Sequence, residues 1–414
     1  MKYILIIGDG MADNPLAALN GKTPLEHAKK PYIDKLSAGG ILGSVRTIPE
    51  KYPPGSDTAI MSIFGCDPAE CYSGRAPLEA AAQGVNLNPG DAAFRCNNVF
   101  ISGSGAFEDK IIASHSAGGI DGAEASKIIS DLFDTPEFKK LAKNGGFEIK
   151  PALSFRHIAV QRNADINGLV LSPPHDRLGE KVGENMPSGC ANAQILTELM
   201  RSANVILENH PINKKRISEG KLPANGIWFW AEGTAAKLPV FSEKFEKKGA
   251  VISAVPLCRG IAVLTGMDVI LVEGATGELD TNYDGKVTAA LDALKTRDFA
   301  AVHIEAPDEC THNGDLPGKI EAIERLDGRV VAPLAERLKQ EGEDFRMMIL
   351  SDHKTLSDGG MHNGDPVPFI LYDSRNSNGA SGKAYSEKNG EAGPFVNKGT
   401  LLMPILFDND ATLR

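Results

Sequence analysis

The sequence predicts an α/β fold in which a mostly parallel sheet carries helices on both faces and an inserted, smaller α+β domain interrupts the main one. Two patterns lead to this prediction. Short apolar runs, typical of buried strands, alternate with segments of helical periodicity near the N-terminus and over the last third of the chain. The middle of the chain instead mixes strand-like runs with long helical segments, which indicates an insertion.

The predicted strands of the main sheet are short apolar runs. The first, Lys2–Ile7, is followed by Gly8-Asp9-Gly10, which favours a loop directly after the strand. Strands that alternate with helices along a chain are typical of a parallel sheet. The later runs that we assign to the same sheet are Asp298–Glu305, Arg346–Leu350 and Pro368–Tyr372.

The predicted helices of the main domain have apolar residues at helical spacing. Thr23–Ala38 has this pattern, although Pro31 interrupts it. A second helix is predicted over Ser56–Phe64. A longer one, Ile320–Lys339, contains Pro333, which we expect to kink or split it.

Residues 86–224 are predicted to form the inserted domain, and residues 1–85 with 225–414 the main, discontinuous domain. The strand-like pieces of the insertion are Ala93–Ser102, Phe147–Gln161 and Gly168–Ser172. Its long helical pieces are Gly122–Phe133 and Ala191–Glu219. Because every candidate metal ligand described below lies outside the insertion, we expect the main domain to carry the chemistry.

The composition is that of an ordinary soluble globular protein, with 42% hydrophobic and 24% charged residues among 414. The net charge of −10 argues against nucleic acid or an anionic membrane as the main partner. No apolar stretch approaches the roughly 20 residues that span a bilayer, and the N-terminus does not resemble an export signal. The six cysteines have no C-x-x-C spacing and are expected to be reduced, so we expect a cytoplasmic protein.

Three aspartates lie just beyond the ends of predicted strands. They are Asp9, Asp308 and Asp352. In an open parallel sheet, ligands bind beyond the carboxyl ends of the strands, so the three carboxylates are expected to converge there. Taken singly, an aspartate after a strand is more often a helix cap or a turn residue.

Histidines accompany two of these acids. His312 lies four residues after Asp308, on the same face of a helical turn, while His353 directly follows Asp352 and His362 lies nine residues further on. A lone histidine is more often a hydrogen-bonded structural residue than a ligand. Three carboxylates and three imidazoles together favour a site for one or two divalent ions of borderline softness, such as Mn²⁺ or Zn²⁺.

Ser56 adds a candidate nucleophile. It follows the turn Pro53-Pro54-Gly55 and begins a predicted helix, where backbone N–H groups and the helix dipole stabilise an anion such as phosphate. A nearby metal ion would activate its hydroxyl. The alternative is a plain serine cap of the helix, and for this segment alone that alternative is the more common case.

Several groups of residues, taken in order along the chain, form one pattern: Gly8-Asp9-Gly10-Met11-Ala12-Asp13, Pro54-Gly55-Ser56-Asp57, Gly74-Arg75-Ala76-Pro77-Leu78-Glu79, Ala93-Phe94-Arg95-Cys96-Asn97, Phe155-Arg156-His157, Pro173-Pro174-His175-Asp176, Asp280-Thr281-Asn282-Tyr283, Glu305-Ala306-Pro307-Asp308 with His312, and Asp352-His353 with His362 and Pro366-Val367-Pro368-Phe369. This pattern resembles the archaeal-type cofactor-independent (2,3-bisphosphoglycerate-independent) phosphoglycerate mutases of the alkaline-phosphatase superfamily. The resemblance runs nearly end to end, which makes it more specific than any single motif.

The resemblance implies an alkaline-phosphatase-like sheet with two divalent ions, for which Mn²⁺ is expected and Zn²⁺ or Mg²⁺ are alternatives. One ion would be held by Asp9, Ser56, Asp352 and His353, and the other by Asp308, His312 and His362. The implied reaction interconverts 3-phosphoglycerate and 2-phosphoglycerate through a phosphoserine at Ser56. The implied partner is a small anionic phosphorylated substrate rather than nucleic acid or a membrane.

Cationic residues inside the same motifs are candidates for substrate binding, because arginine pairs bidentately with phosphate or carboxylate. Besides Ser56, the implied catalytic residues are Arg75, Arg156 and Lys286. The implied substrate contacts are Arg95, His157, His175, Asp176 and Arg259. For the two histidines, a buried and hydrogen-bonded role is an equal alternative. Because Arg95 and Arg156 lie in the insertion, we expect the insertion to act as a substrate-binding lid.

Two departures from the family pattern avoid the implied ligands. The usual Asp-His-Pro-Thr-Pro is Asp352-His353-Lys354-Thr355-Leu356 here, and the usual Ser-Ala-Gly-Arg ends in Gly119, which removes a possible anion-binding cation. The run Glu305–Glu309 resembles a sister group proposed to phosphorylate homoserine, so a homoserine kinase is the nearest alternative. A phosphatase and a non-catalytic metal-binding regulator are further alternatives, and the complete serine and ligand set speaks against the regulator.

Overall fold

The first apolar run of the chain is a central strand of the larger sheet, and its residues 3–8 are all buried in the computed structural model, which describes residues 1–375 and 381–407. Strands covered on both faces are apolar at nearly every position, as this one is. The strands in chain order are β1 (Lys2–Gly8), β2 (Ile41–Val45), β3 (Ala92–Ser102), β4 (Ile111–Ser114), β5 (Phe147–Lys150), β6 (Arg156–Gln161), β7 (Gly226–Thr234), β8 (Gly249–Ile252), β9 (Asp268–Ile270), β10 (Phe299–Ile304), β11 (Phe345–Leu350), β12 (Lys354–Thr355), β13 (His362–Asn363), β14 (Val367–Asp373) and β15 (Phe395–Val396).

Many of the helices begin with a proline in the first turn, where the missing N–H removes no helical hydrogen bond. The α-helices are α1 (Pro24–His27), α2 (Pro31–Ala38), α3 (Ser56–Ile63), α4 (Pro68–Cys71), α5 (Arg75–Ala82), α6 (Gly122–Asp134), α7 (Pro136–Asn144), α8 (Asn192–Leu207), α9 (Pro211–Ser218), α10 (Phe241–Phe245), α11 (Pro256–Leu264), α12 (Tyr283–Leu294), α13 (Ala306–His312), α14 (Leu316–Leu326), α15 (Ala332–Gln340), α16 (Glu387–Glu391) and α17 (Leu402–Phe407). A π-helical segment, Asp327–Val331, joins α14 to α15, so the helical backbone of the predicted long helix continues past Pro333 with an irregularity just before that residue.

The chain divides into two compact units, one formed by Met1–Tyr72 with Lys237–Arg414 and the other by Ser73–Ala236. The second unit is longer at both ends than the predicted insertion of residues 86–224. Packing explains the difference, because α5 packs on β3, and β7 pairs with β3 along most of its length. Both α5 and β7 lie outside the predicted boundaries.

The larger unit contains an eight-stranded sheet in the order β15-β2-β14-β11-β1-β10-β8-β9. The five strands from β11 to β9 are parallel, whereas β14 is antiparallel to both of its neighbours. Helices pack on this sheet, among them α2, α11 and α12. The predicted mostly parallel α/β fold is therefore confirmed. The direction of β14 follows from its connection to β11, which contains the hairpin β12–β13 instead of a crossover helix.

The register of the sheet brings three strand ends to one edge. Gly8 of β1 lies beside Ile304 of β10, and Ile7 lies beside Leu350 of β11. The segments that follow these strands therefore leave the sheet side by side, which places the loop after β1, helix α13 and the loop after β11 in one neighbourhood.

The smaller unit is an antiparallel sheet packed against helices. β3 pairs with β6 and β7 and, at its end, with β4, while β5 pairs with β6. Aromatic residues such as Phe94, Trp228 and Phe229 are buried in its core, together with apolar residues of α6 and α8.

Three local predictions for this unit differ from the structure. The run 147–161 forms the two strands β5 and β6 rather than one, and the long helix 191–219 is divided into α8 and α9 at Pro211, which cannot continue a helix without losing a hydrogen bond. The run 168–172 forms only a single bridge, between Val170 and Ser188. In the part of the chain that the structure describes, no helix combines the length and apolar character needed to cross a membrane.

Candidate active site

The first set of predicted ligands converges around Asp308. Asp308 and His312 lie one turn apart on α13, with His312 Nε2 3.2 Å from Asp308 Oδ2. His362, on the short strand β13, places its Nε2 atom 3.4 Å from Asp308 Oδ1 and 2.9 Å from His312 Nε2. Although burial alone would raise the pKa of Asp308, hydrogen bonds from the two histidines lower it below its ordinary value.

The second set converges around His353. Its Nε2 atom lies 3.0 Å from Ser56 Oγ, 3.3 Å from Asp352 Oδ2 and 3.5 Å from Asp9 Oδ1. The two sets adjoin, since the ring centres of His353 and His362 are 4.1 Å apart. The predicted convergence of the seven residues is therefore found, whereas their role as metal ligands stays a prediction.

The buried carboxylates of the second set favour a bound cation. Burial raises the pKa of Asp9 well above its ordinary value, and the carboxylates of Asp352 and Asp308 raise it further. Asp9 Oδ1 and Asp352 Oδ2 are buried oxygens without a hydrogen-bond donor among the described residues. Buried carboxylate oxygens are normally paired or bound to a metal, so these two oxygens are suited to a positively charged ligand.

The spacing of the donor atoms also fits metal ions. Ligand atoms that bind one ion at about 2.1 Å lie roughly 3.0–3.4 Å from one another. The distances within each set cover nearly the same range, from 2.9 to 3.5 Å. Carboxylates combined with imidazoles suit divalent ions such as Mn²⁺ or Zn²⁺.

Ser56 is the first residue of α3 rather than its cap. Gly55 occupies the cap position with extended backbone, so the alternative of a plain serine cap is wrong. The hydroxyl of Ser56 instead faces His353 Nε2. Its neighbour Asp57 accepts a hydrogen bond from the Tyr72 hydroxyl at 2.6 Å, which helps to hold the start of the helix.

His303 also belongs to this site, although it is not among the residues predicted from the sequence. It is buried in β10, and burial lowers its pKa to about 4, so its ring is neutral near pH 7. Its Nε2 atom lies 2.9 Å from Asp9 Oδ2, and its Nδ1 atom lies 3.2 Å from the hydroxyl of Ser253. His303 therefore orients Asp9 and leaves Oδ1 free to bind another group. The available signal was a histidine near the end of an otherwise apolar strand.

The smaller unit holds a separate cluster of cations. Glu79 accepts hydrogen bonds from Arg95, with Nε at 2.9 Å, and more weakly from Arg75, with Nε at 3.4 Å. The guanidinium groups of Arg95 and Arg156 lie 4.5 and 5.3 Å from the ring centre of Trp230. Trp230 precedes Ala231, whose φ of +53° coincides with an irregularity in the pairing of β7 with β3.

Arg156 is the member of this cluster best suited to bind an anion. Its Nε atom is buried and has no hydrogen-bond partner in the described part of the chain. Burial, and to a lesser extent the charge of Arg95, lower the pKa of Arg156 to about 10, so the group stays cationic near pH 7. A partly buried guanidinium beside another one is stabilised by an anionic ligand.

The two histidines predicted to contact the substrate differ in burial: His157 is buried and His175 is exposed. His157 is fully buried, its Nδ1 accepts from the Ala152 N–H at 3.1 Å, and its Nε2 lies 2.7 Å from Asn98 Oδ1. Both ring nitrogens are thus occupied, which assigns His157 a structural role and contradicts its selection as a substrate contact. His175 is more exposed and packs 5.0 Å from the ring of Trp230, and its side chain lies 3.6 Å from that of Asp176.

Two predicted cations lie in the larger unit. Lys286 is buried on α12, where its ammonium group donates to the carbonyl oxygen of His303 at 3.1 Å. Burial lowers the pKa of Lys286 to about 8, against the raising effect of Glu305. Arg259 lies half-buried on α11, which packs against α3, and its buried Nε atom has no hydrogen-bond partner among the residues described.

Comparison with known proteins finds relatives that match over nearly the whole chain. The profile of the family described as 2,3-bisphosphoglycerate-independent phosphoglycerate mutase matches residues 37–213. A protein of Geobacter sulfurreducens named a probable enzyme of this kind is 44% identical over 99% of this chain and 100% of its own length. One of Methanosarcina mazei, named 2,3-bisphosphoglycerate-independent phosphoglycerate mutase, is 45% identical over 95% of this chain and 96% of its own.

Solved structures agree with these sequence matches. A protein from Pyrococcus horikoshii has a TM-score of 0.81 at 32% identity and covers 98% of this chain and 96% of its own. The cofactor-independent phosphoglycerate mutase of Thermoplasma acidophilum has a TM-score of 0.60 at 26% identity and covers 99% and 100%. The similarity therefore extends over both compact units.

Proposed function

This chain belongs to the 2,3-bisphosphoglycerate-independent phosphoglycerate mutase family, and from that premise we propose that it interconverts 3-phosphoglycerate and 2-phosphoglycerate through a phosphoserine at Ser56. The main support from the geometry is the contact of Ser56 Oγ with His353 Nε2 at 3.0 Å, beside the carboxylates of Asp9 and Asp352. A serine hydroxyl held among potential metal ligands is suited to act as a nucleophile.

Two divalent ions, for which we favour Mn²⁺, would be held by Asp9, Ser56, Asp352 and His353 and by Asp308, His312 and His362. When bound, they would lower the pKa of the serine hydroxyl and offset the negative charge of the transferring phosphoryl group. His303 would keep Asp9 oriented, with Oδ2 hydrogen-bonded and Oδ1 directed at the site.

The reaction consists of two opposite transfers. In the first, a bond forms between Ser56 Oγ and phosphorus while the ester bond to glycerate breaks, and the glycerate alcohol gains a proton. In the second, the other hydroxyl of glycerate attacks the phosphoserine and Ser56 regains its proton. The cycle consumes no net proton, but it requires that water be excluded, because water would hydrolyse the phosphoserine and make the enzyme a phosphatase.

Substrate recognition is assigned to cations. Arg156 would bind the carboxylate or phosphate of the substrate, with Arg95 and Arg75 held beside it by Glu79. In the larger unit, Lys286 and Arg259 would add positive charge. This assignment gives the chemistry to the larger unit and most of the substrate recognition to residues 73–236.

To test this function, the purified protein is assayed in the presence of Mn²⁺ with 3-phosphoglycerate and, separately, with homoserine and ATP. The second pair is included because the run Glu305–Glu309 resembles the group proposed to phosphorylate homoserine. We expect formation of 2-phosphoglycerate and no phosphohomoserine. Turnover of homoserine without any mutase activity would contradict the proposed substrate while retaining the serine and ligand assignment.

A further inference from the structure

Thr355 is a buried residue to which the proposed reaction gives no role. It lies on β12 opposite His362 of β13, and its side chain is fully buried. Its hydroxyl oxygen lies 2.6 Å from Asp308 Oδ1 and 3.2 Å from His353 Nδ1. One hydroxyl thus contacts a proposed ligand from each of the two metal sets.

The direction of the two hydrogen bonds follows from the number of available protons. An ionised carboxylate only accepts hydrogen bonds, so Thr355 donates its single hydroxyl proton to Asp308. The hydroxyl oxygen then accepts from His353, which requires a proton on Nδ1. The carbonyl oxygen of Lys354, 3.3 Å from Nδ1, favours the same tautomer. The lone pair of His353 is consequently on Nε2, the atom that faces Ser56.

We propose that Thr355 is a positioning residue that couples the two metal sets, because it orients Asp308 in one set and selects the tautomer of His353 in the other. This role rests on the ligand sets of the proposed function. Outer hydrogen-bond partners of metal ligands set ring tautomer and orientation, and their loss costs about 10- to 100-fold in metal affinity. Since a single hydroxyl serves both sets, its removal should weaken both.

A buried lysine holds Thr355 in place. Lys319 is fully buried on α14, and its ammonium group donates to the carbonyl oxygen of Thr355 at 2.6 Å and to Asp13 Oδ2 at 2.8 Å. The N–H group of Thr355 donates to the carbonyl oxygen of Ala12 at 3.1 Å. Both backbone polar groups of Thr355 are therefore fixed, which defines the position from which its hydroxyl reaches the ligands.

The space beside this hydroxyl requires a glycine. Gly10 has a φ of +57°, and a Cβ atom at that position would overlap both Thr355 Oγ1 and Asp308 Oδ1. The N–H group of Gly10 also donates to Asp352 Oδ1 at 3.1 Å. The loop after β1 thus packs directly against the Thr355–Asp308 pair and against a ligand of the second set.

Three variants separate the hydroxyl from its packing. Thr355→Val keeps the shape and removes the hydroxyl, while Thr355→Ser keeps the hydroxyl. Thr265→Val is the matched control, because Thr265 is equally buried but donates only to carbonyl oxygens of its own helix. Mn²⁺ binding to metal-stripped protein is measured by titration calorimetry, and thermal unfolding of the metal-free forms reports on the fold.

We expect two Mn²⁺ sites in the wild type, and in Thr355→Val a weakening of both by about 10- to 100-fold. Thr355→Ser and Thr265→Val should bind like the wild type. Weakening of only one site, no weakening, or equal weakening in Thr355→Val and Thr355→Ser would overturn the coupling role. A wild type that binds fewer than two Mn²⁺ would instead overturn the ligand sets themselves.

A second measurement needs no change at Thr355. ¹⁵N NMR of the metal-free wild type, labelled at histidine and assigned with His353→Gln, identifies the protonated ring nitrogen. A proton on Nδ1 of His353 with Nε2 unprotonated supports the role of Thr355. A neutral ring protonated on Nε2 would refute it, whatever the stability of the variants.

Discussion

His353 Nε2 lies 3.0 Å from the hydroxyl oxygen of Ser56, although the two residues are 297 positions apart in the chain. The contact joins the start of α3 to the loop after β11, and it brings the candidate nucleophile to the carboxylates of Asp9 and Asp352. Ser56 is therefore the first residue to test.

Replacement of Ser56 by alanine should abolish mutase turnover, with a loss on the order of 10³- to 10⁶-fold, because the proposed phosphoryl intermediate forms on its hydroxyl. The fold should persist, since the hydroxyl makes no bond that closes the helix. Ser62→Ala is the matched control, because Ser62 is buried on the same helix and has no assigned role. Mass spectrometry of trapped enzyme should find phosphate on Ser56. Phosphate on Ser62 or on a histidine would refute the assignment.

Removal of the metal ions by a chelator should stop turnover, and Mn²⁺ should restore it. Asp308→Asn should lower Mn²⁺ affinity by at least about tenfold, since even outer partners of a ligand contribute that much. Asp358→Asn is the control, because Asp358 is exposed and lies outside both ligand sets. Metal content after dialysis gives the readout. Equal metal content in Asp308→Asn and the wild type would count against the first ligand set.

Arg156→Ala should lower kcat/KM for the mutase reaction, because a lost buried charge contact costs roughly 2–5 kcal/mol. Hydrolysis of a small generic phosphate ester should survive, since that reaction needs only Ser56 and the metal ligands. Lys150→Ala, at an exposed position of the neighbouring strand β5, is the control and should leave both activities unchanged. Equal loss of both activities in Arg156→Ala would mean that Arg156 supports the structure rather than the substrate.

The stability of the smaller unit should depend on the protonation of His157. Burial lowers the pKa of His157 to about 4 from an ordinary value near 6.5. The unfolded chain therefore binds a proton at the His157 ring below about pH 6.5, whereas the folded unit binds it only below about pH 4. The contribution of the neutral His157 ring to the free energy of unfolding is fully present above about pH 6.5. It is lost as the pH falls towards about 4, by a total on the order of 3 kcal/mol.

This dependence can be followed through both tryptophans of the chain, Trp228 and Trp230, which lie in the smaller unit. Urea unfolding monitored by their fluorescence between pH 7.5 and 4.5 should show a steeper loss of stability in the wild type than in His157→Gln, which cannot titrate. Parallel pH profiles would show that the unfolding of this unit is not linked to His157.

Predictions from the sequence were accurate where they depend on the spacing of residues within a segment or on the order of segments along the chain. Asp9, Asp308 and Asp352 each follow a strand, and parallel strands end at one edge of the sheet, so their convergence follows from topology. The spacing of Asp308 and His312 places them on one helix face before any tertiary contact forms. The boundaries of the smaller unit were predicted less accurately. The pairing of β7 with β3 extends this unit, and it joins segments that are distant in the sequence.

The sequence by itself thus determined the α/β class, the family and the convergence of Ser56 with the candidate ligands, since these depend on patterns within short segments and on the order of those segments. Only the tertiary structure decided that His157 is a structural residue, that His303 orients Asp9 across 294 positions, and that Thr355 contacts Asp308 across 47. The physical reason is that a buried hydrogen bond depends on which groups packing brings within about 3 Å, and no local periodicity encodes that pairing.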